Sequence, residues 1–187
     1  MTTATTVTTD IPSAHRTAGY AAVLGGITSA VAGAMQVVRI DDGNPKVGLS
    51  EHVVLTLIAL SLLLWLPAYL RLGRTPGRLA RTGGYLAAGG AALLAAGMTS
   101  TNLRGEDFSW FPYVAAPANL AWLAGSVLLA VATWRARTLP RTLAVGLAVV
   151  WVTSIILSQA GGNLVAGVIF AVVGLLLARD PAPRPTA

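Results

Sequence analysis

The chain has 187 residues, 55% of them hydrophobic and only 11% charged, with a mean hydropathy of +0.68. A soluble domain carries roughly a quarter charged residues, so long apolar runs with so few charges make the bilayer the expected solvent. Cysteine is absent, which excludes disulfides, thiolate metal sites, cysteine nucleophiles and cysteine-attached haem.

Residues 1–16 are threonine-rich and read as a disordered cytoplasmic tail. Six apolar stretches follow, at residues 18–38, 53–70, 82–101, 111–134, 143–159 and 164–178. Each approaches the roughly 20 residues that a helix needs to cross about 30 Å of hydrocarbon. The last two are short and separated only by "AGGN", as in a tight helical hairpin. Inside a bilayer each segment must pair its own backbone groups, and nothing here alternates with the period of two that a barrel strand shows. The expected fold is therefore all-α: a polytopic membrane protein with a six-helix transmembrane domain over residues 17–179 and a short disordered tail over 180–187. Ala32-Gly33-Ala34 has the small-x-small form of a signal-peptidase site. The Asp10-bearing start and the length of the run favour a retained span.

The charges sort by loop. One side holds Arg16, Arg71, Arg74, Arg78, Arg81, Arg135, Arg137, Arg141, Arg179 and Arg184, against Asp10 and Asp180. The other holds Arg39, Lys46 and Arg104, against Asp41, Asp42, Glu51, Glu106 and Asp107. No charge is left for the middle of a span. Basic loops stay cytoplasmic, so both termini are expected inside, and the net charge of +6 reads as an orientation signal with no nucleic-acid partner. Arginine outnumbers lysine 12 to 1, a bias that suits a GC-rich bacterial genome. The expected location is thus a bacterial cytoplasmic membrane. Tyr20, Tyr69, Tyr85 and Trp134 read as an inner aromatic belt, and Trp110, Phe111 and Tyr113 as an outer one. Trp122 and Trp151 fall nearer mid-membrane and read as space-fillers.

Small residues recur at spacing four, as Gly25-Ser29-Gly33, Gly26-Ala30-Ala34 and Gly84-Ala88-Ala92-Ala96. Such stripes let helix backbones approach closely, either within one bundle or across a homo-oligomer interface. The sequences around Arg71–Arg78 and Arg135–Arg141 also echo one another, each ending in threonine, proline and arginine. The echo fits either a duplicated hairpin or the shared needs of two short inner loops.

Catalytic and cofactor motifs are missing. Haem between helices needs facing histidines, and only His15 and His52 exist, on opposite sides. The single lysine, Lys46, lies in a loop, and no span holds a carboxylate for proton coupling. Neither a cofactor nor a metal is expected. What remains is an outer polar set: Gln36, Asp41, Asp42, His52, Asn102, Glu106 and Asn119 as candidate binding residues, with Ser158, Gln159 and Asn163 nearby. The "DDGNP" segment reads as a turn, Ser50 as the N-cap of the second span, Glu51 as its first helical residue, and Leu49 with Val54 as a hydrophobic staple. These residues support a non-catalytic role: binding or passing a small apolar or cationic molecule through an outward mouth, or serving as an accessory subunit. The alternative is a membrane enzyme acting on a lipid or isoprenoid, with Glu51 and Asp107 as its acids.

Overall fold

The computed structural model describes residues 13–38 and 48–179, which are all-helical with no strand among them. Six helices appear: α1 (Ser13–Val38), α2 (Leu49–Leu72), α3 (Arg78–Arg104), α4 (Phe111–Ala136), α5 (Arg141–Trp151) and α6 (Gly162–Arg179). Each helix except α5 outruns its apolar stretch by a few residues, because the charged flanks keep helical backbone. α1 already begins at Ser13, inside the stretch expected to be tail. The remaining tail residues and the "DDGNP" turn lie outside the described residues.

Four helices, α1, α2, α4 and α6, are long and apolar enough to cross a membrane. α3 has the length, 27 residues, but its glycines, alanines and threonines make it only mildly apolar. α5 keeps α geometry for 11 residues and then widens into a π-helical segment at Val152–Ile156.

The α2 start also differs from expectation. The N-cap is Gly48, and Glu51 sits at the third helical position, where its carboxylate accepts the Gly48 N–H at 2.9 Å. Acid at a helix start complements the exposed N–H groups there. Ser50 is therefore inside the helix, and the expected Leu49–Val54 staple has lost its register.

Consecutive helices pack side by side, and α6 returns against α1, so the six form a closed ring in chain order. Small residues line the ring's tightest seams, and large apolar ones face outward, among them Leu24, Ile27, Leu63, Leu93, Leu120, Val145 and Val168. This is the arrangement expected where the surroundings are as apolar as the core and helices associate by close packing.

The tightest seams are α1 with α6 and α4 with α3. Gly26 faces the Gly167 carbonyl and the Ala171 N–H, and a Cβ there would lie 2.5 Å from the former. Gly125 faces the Gly83 carbonyl and the Ala87 N–H in the same way. Gly174 meets Gly19 O and Val23 N, as Gly90 meets Ala118 O and Trp122 N. Gly167 meets Gly26 O and Ala30 N, as Gly83 meets Gly125 O and Leu129 N. Both seams are antiparallel and recur every seven residues, at Gly19, Gly26 and Gly33 on α1 and at Gly83, Gly90 and Gly97 on α3. The small-residue stripes seen at spacing four are thus used inside the chain: Gly25 against Trp65, Gly33 against Leu164, Gly84 against Gly73.

Candidate functional site

The centre of the ring is aromatic. Trp65 of α2 stacks on Phe170 of α6 with centroids 4.0 Å apart and planes at 9°. Tyr69 meets Phe170 edge-on at 5.2 Å, and Trp122 of α4 lies 6.4 Å from Trp65. The Trp122 indole N–H donates to the Tyr69 hydroxyl at 2.7 Å. All four side chains are fully buried. Tyr69 is consequently a core residue, not part of the inner belt: its hydroxyl finds a partner in the bundle, as a buried phenol must.

Above this layer, toward the end that carries His52 and Asn102, lies a cavity of about 200 Å³. Trp65 and Trp122 form part of its wall, joined by Ile58 and Ser61 of α2, Ser154 and Ile155 of the π segment, and Gln36 and Asn163. The broken end of α5 forms one side of it. The π segment is closed by Leu157 N–H donating to Val152 O at 3.1 Å, and the chain then turns through Gly161 at φ +82°, a left-handed conformation that suits glycine. Gly162 presses its bare Cα against the Thr153 carbonyl and donates its N–H to Leu157 O at 2.8 Å. Ser154 and Ile155 of this segment and Ser158 just after it face the cavity across from Ile58 and Ser61 of α2.

The wall is mostly apolar, with uncharged amides and hydroxyls set into it. Asn163 donates from Nδ2 to Gln36 Oε1 at 2.8 Å, and Ser29 donates to the Asn163 backbone carbonyl at 2.8 Å. These bonds tie α1 to the start of α6. They leave the Gln36 amide hydrogens and the Asn163 side-chain carbonyl with no partner among the described residues. The Ser154 hydroxyl is buried without a hydrogen-bond partner, as is the Trp65 indole N–H, whose edge lies against Gly25. A buried polar group without a partner is costly, so native structures keep few of them.

Comparison with protein-family models, with curated proteins and with solved structures finds no match to this chain. The site therefore stands on its geometry alone.

The residues singled out from sequence separate into local pairs. Gln36 lines the cavity. His52 Nδ1 and Asn102 Oδ1 lie 2.5 Å apart, and Asn102 donates to the Thr56 hydroxyl at 2.7 Å, so these tie the start of α2 to the end of α3. Glu51 caps α2. Asp107 accepts the Thr101 hydroxyl at 2.6 Å, and Glu106 pairs with Arg104 at 2.9 Å, both in the exposed α3–α4 connection. Asn119 accepts from the Trp151 indole at 2.9 Å and donates to the Ala115 carbonyl, bridging α4 to α5. Asp41 and Asp42 lie outside the described residues. Of the acids expected to do chemistry, neither Glu51 nor Asp107 borders the cavity.

Sequence reasoning passed over Trp65 and Ser154. A signal existed: "WVTSIILSQAGGN" places threonine and two serines inside an apolar run that ends in paired glycines. Hydroxyls that bond back to the preceding turn, as Thr153 does to Val150 O at 2.9 Å, loosen a helix there.

Proposed function

We propose that this chain is a six-span protein of a bacterial cytoplasmic membrane, with both termini inside, that binds a small uncharged molecule in the cavity above the aromatic layer. The observation that carries this reading is the cavity itself: about 200 Å³, closed beneath by Trp65 and Trp122, with amide and hydroxyl groups but no charge in its wall. Liquid water takes about 30 Å³ per molecule, so the space suits one solute of a few heavy atoms, below the size of common drug-like pockets. Free amide hydrogens on Gln36 and a free carbonyl on Asn163 offer a donor and an acceptor side by side, the complement of an amide or an alcohol.

Six spans are supported by the closed ring, in which α3 and α5 sit between more apolar neighbours. Orientation is supported by the arginines at the α2–α3 and α4–α5 ends, opposite the end where Glu51, Glu106 and Asp107 lie. Reporter fusions at Gly77 and Gly105 test this: Gly77 should report cytoplasm and Gly105 the exterior.

For binding, purified protein is titrated with acetamide, urea and glycerol while its tryptophan emission is followed. A saturable change is expected in the native chain and is expected to vanish in Ser154→Leu, which fills the cavity. A flat response to all three probes, or an unaltered response in the filled variant, removes the reading.

A further inference from the structure

The chain just past the end of α2 meets the start of α3 at two glycines. A Cβ on Gly84 would lie 2.8 Å from the Gly73 Cα, and one on Gly73 would lie 3.1 Å from the Gly84 Cα. Both glycines border an open depression of about 670 Å³ at this end of the bundle. Arg74, Arg78 and Arg81 stand around it, and all three are exposed. Leu70, four residues before Arg74, and Tyr85, four after Arg81, border it on the side away from the α2–α3 connection. They are 41% and 66% exposed. The described acids, Glu51, Glu106 and Asp107, belong to the opposite end, and among the described residues none pairs with these three arginines. Each guanidinium therefore keeps forked N–H donors of the shape that matches phosphate oxygens. The α4–α5 connection carries as many arginines, Arg135, Arg137 and Arg141, but is built differently. Leu139 is buried in it, and the Arg141 guanidinium already lies 5.5 Å from the Trp134 ring centroid, an attractive arrangement in itself.

We propose that this depression binds the phosphate ester of an anionic phospholipid, with the headgroup among Arg74, Arg78 and Arg81 and an acyl chain passing Leu70 and Tyr85 along the outside of α2 and α3. The lipid belongs to the leaflet at that end, the cytoplasmic one in the orientation above. The site is separate from the cavity and rests only on the six-span reading. Charge selects the occupant. Anionic lipids of the cytoplasmic leaflet attract basic clusters beside membrane helices, and a zwitterionic headgroup would bring an ammonium group toward three arginines. The recess falls within the roughly 300–1,000 Å³ that small-ligand sites occupy. Apolar surface continues from it into the membrane. Leu63 lies seven residues before Leu70 and Gly89 four after Tyr85, on the same helix faces, and both are exposed. Nothing lies within 4 Å of a Cβ added at Gly89, which leaves room for an acyl chain against the α3 backbone. A soluble phosphate would use the arginines alone; a phospholipid uses the arginines and the apolar lane.

The full chain, purified in an uncharged detergent, is incubated with phosphatidylglycerol or with phosphatidylcholine of the same acyl chains, and bound lipid is counted by native mass spectrometry. One saturable phosphatidylglycerol per chain is expected, with phosphatidylcholine at least about tenfold weaker. Arg74→Gln with Arg81→Gln should weaken phosphatidylglycerol binding about twentyfold, at roughly fivefold for each basic residue facing an anionic headgroup. Arg137→Gln with Arg141→Gln removes the same charge from the α4–α5 connection and should weaken it less than about threefold, because distant exposed charges are screened. All four side chains are exposed, so folding is not at stake in either variant. Equal losses in the two double variants would reduce the site to net charge and overturn it, as would equal binding of the two lipids. Glycerol 3-phosphate and inorganic phosphate separate the sources of the phosphate group. Neither should displace the lipid at millimolar concentration, and displacement by either overturns the lipid in favour of a soluble phosphate. The Gly77 reporter separates the site from the orientation. A Gly77 that faces the exterior while phosphatidylglycerol still binds selectively overturns the orientation and upholds the site. A cytoplasmic Gly77 without lipid selectivity overturns the site and upholds the orientation.

Discussion

α2 and α5 stand at matching places in the ring, each between a tight glycine seam and its neighbour, and they differ in a way that locates the site. α2 runs as one helix from Leu49 to Leu72 and carries Pro67 without breaking. α5 stops being α at Trp151 and continues as π turns to Ile156. Proline alone therefore does not decide where a helix opens; in a bundle, neighbouring helices can compensate for its missing N–H. What opens α5 is a run of hydroxyl side chains ending at paired glycines, which lets the start of α6 press into the turn. α2 and α4 supply the cavity's aromatic wall, Trp65 and Trp122, and the widened segment supplies Ser154 and Ile155 on another side.

The largest expected effects come from the seams that hold these two helices in place. Gly26→Val and Gly125→Val each drive carbon atoms into a facing backbone that cannot move as a side chain would. Each should cost more than about 3 kcal/mol, read by denaturant unfolding in detergent micelles. Because the two positions are equivalent, their costs should be alike. A large loss in one and tolerance in the other would mean that the two seams do not pack alike. Gly89→Ala is the matched control: nothing lies within 4 Å of an added Cβ, so the variant should be neutral or gain up to about 1 kcal/mol in helix preference.

Gly162→Ala acts on the widened helix directly. Its Cβ would collide with the Thr153 carbonyl, so the π segment and the start of α6 must separate. A loss of about 1–3 kcal/mol is expected, together with loss of the saturable tryptophan response. If the variant unfolds at the native denaturant midpoint and still responds to the probes, the contact has no part in shaping the cavity.

These effects also show what could be read from the chain alone. Apolar length marked the helices, because it follows from local residue type. Gly26 and Gly125 were visible as small residues, but the spacing of four that draws the eye is not the period of the seams. An antiparallel pair meets every seven residues, and only the partner helix reveals which phase of a glycine-rich stretch is used. Tyr69 misled for a related reason: its place near a span end matches an interfacial belt, and only the position of Trp122 across the ring makes it core. The outer polar residues were picked by type and by depth. Depth alone could not tell Gln36, which reaches the cavity, from Asn102, which bonds a histidine and a threonine on the neighbouring helix.

A middling effect belongs to the aromatic layer. Tyr69→Phe leaves the buried Trp122 N–H without its acceptor and should cost about 1–3 kcal/mol. Trp122→Phe leaves the Tyr69 hydroxyl unpaired and removes ring area as well, so it should cost somewhat more. The double variant should cost clearly less than the two single losses added together, since the second change removes a group already orphaned. Full additivity in the unfolding curves would mean that the bond seen at 2.7 Å contributes nothing.

The smallest effect separates Asn119 from the cavity. Its carbonyl accepts the Trp151 N–H, and its amide donates to the Ala115 carbonyl, so both ends are taken up in joining α4 to α5. Interhelical bonds of this kind average about 0.6 kcal/mol, because the unfolded chain in a membrane also finds partners. Asn119→Ala should therefore lower stability by roughly that amount. It should leave the acetamide, urea and glycerol titrations unchanged, because Asn119 does not border the cavity. The contrast with Gln36→Ala is the sharper measurement. That change opens the same kind of interhelical amide bond, to Asn163, but removes a donor from the cavity wall. Two variants of similar stability cost, of which only Gln36→Ala weakens the tryptophan response, would divide the amides into one that ties helices and one that meets the solute. Equal weakening by both would move the site toward the α4–α5 seam and away from the widened turn.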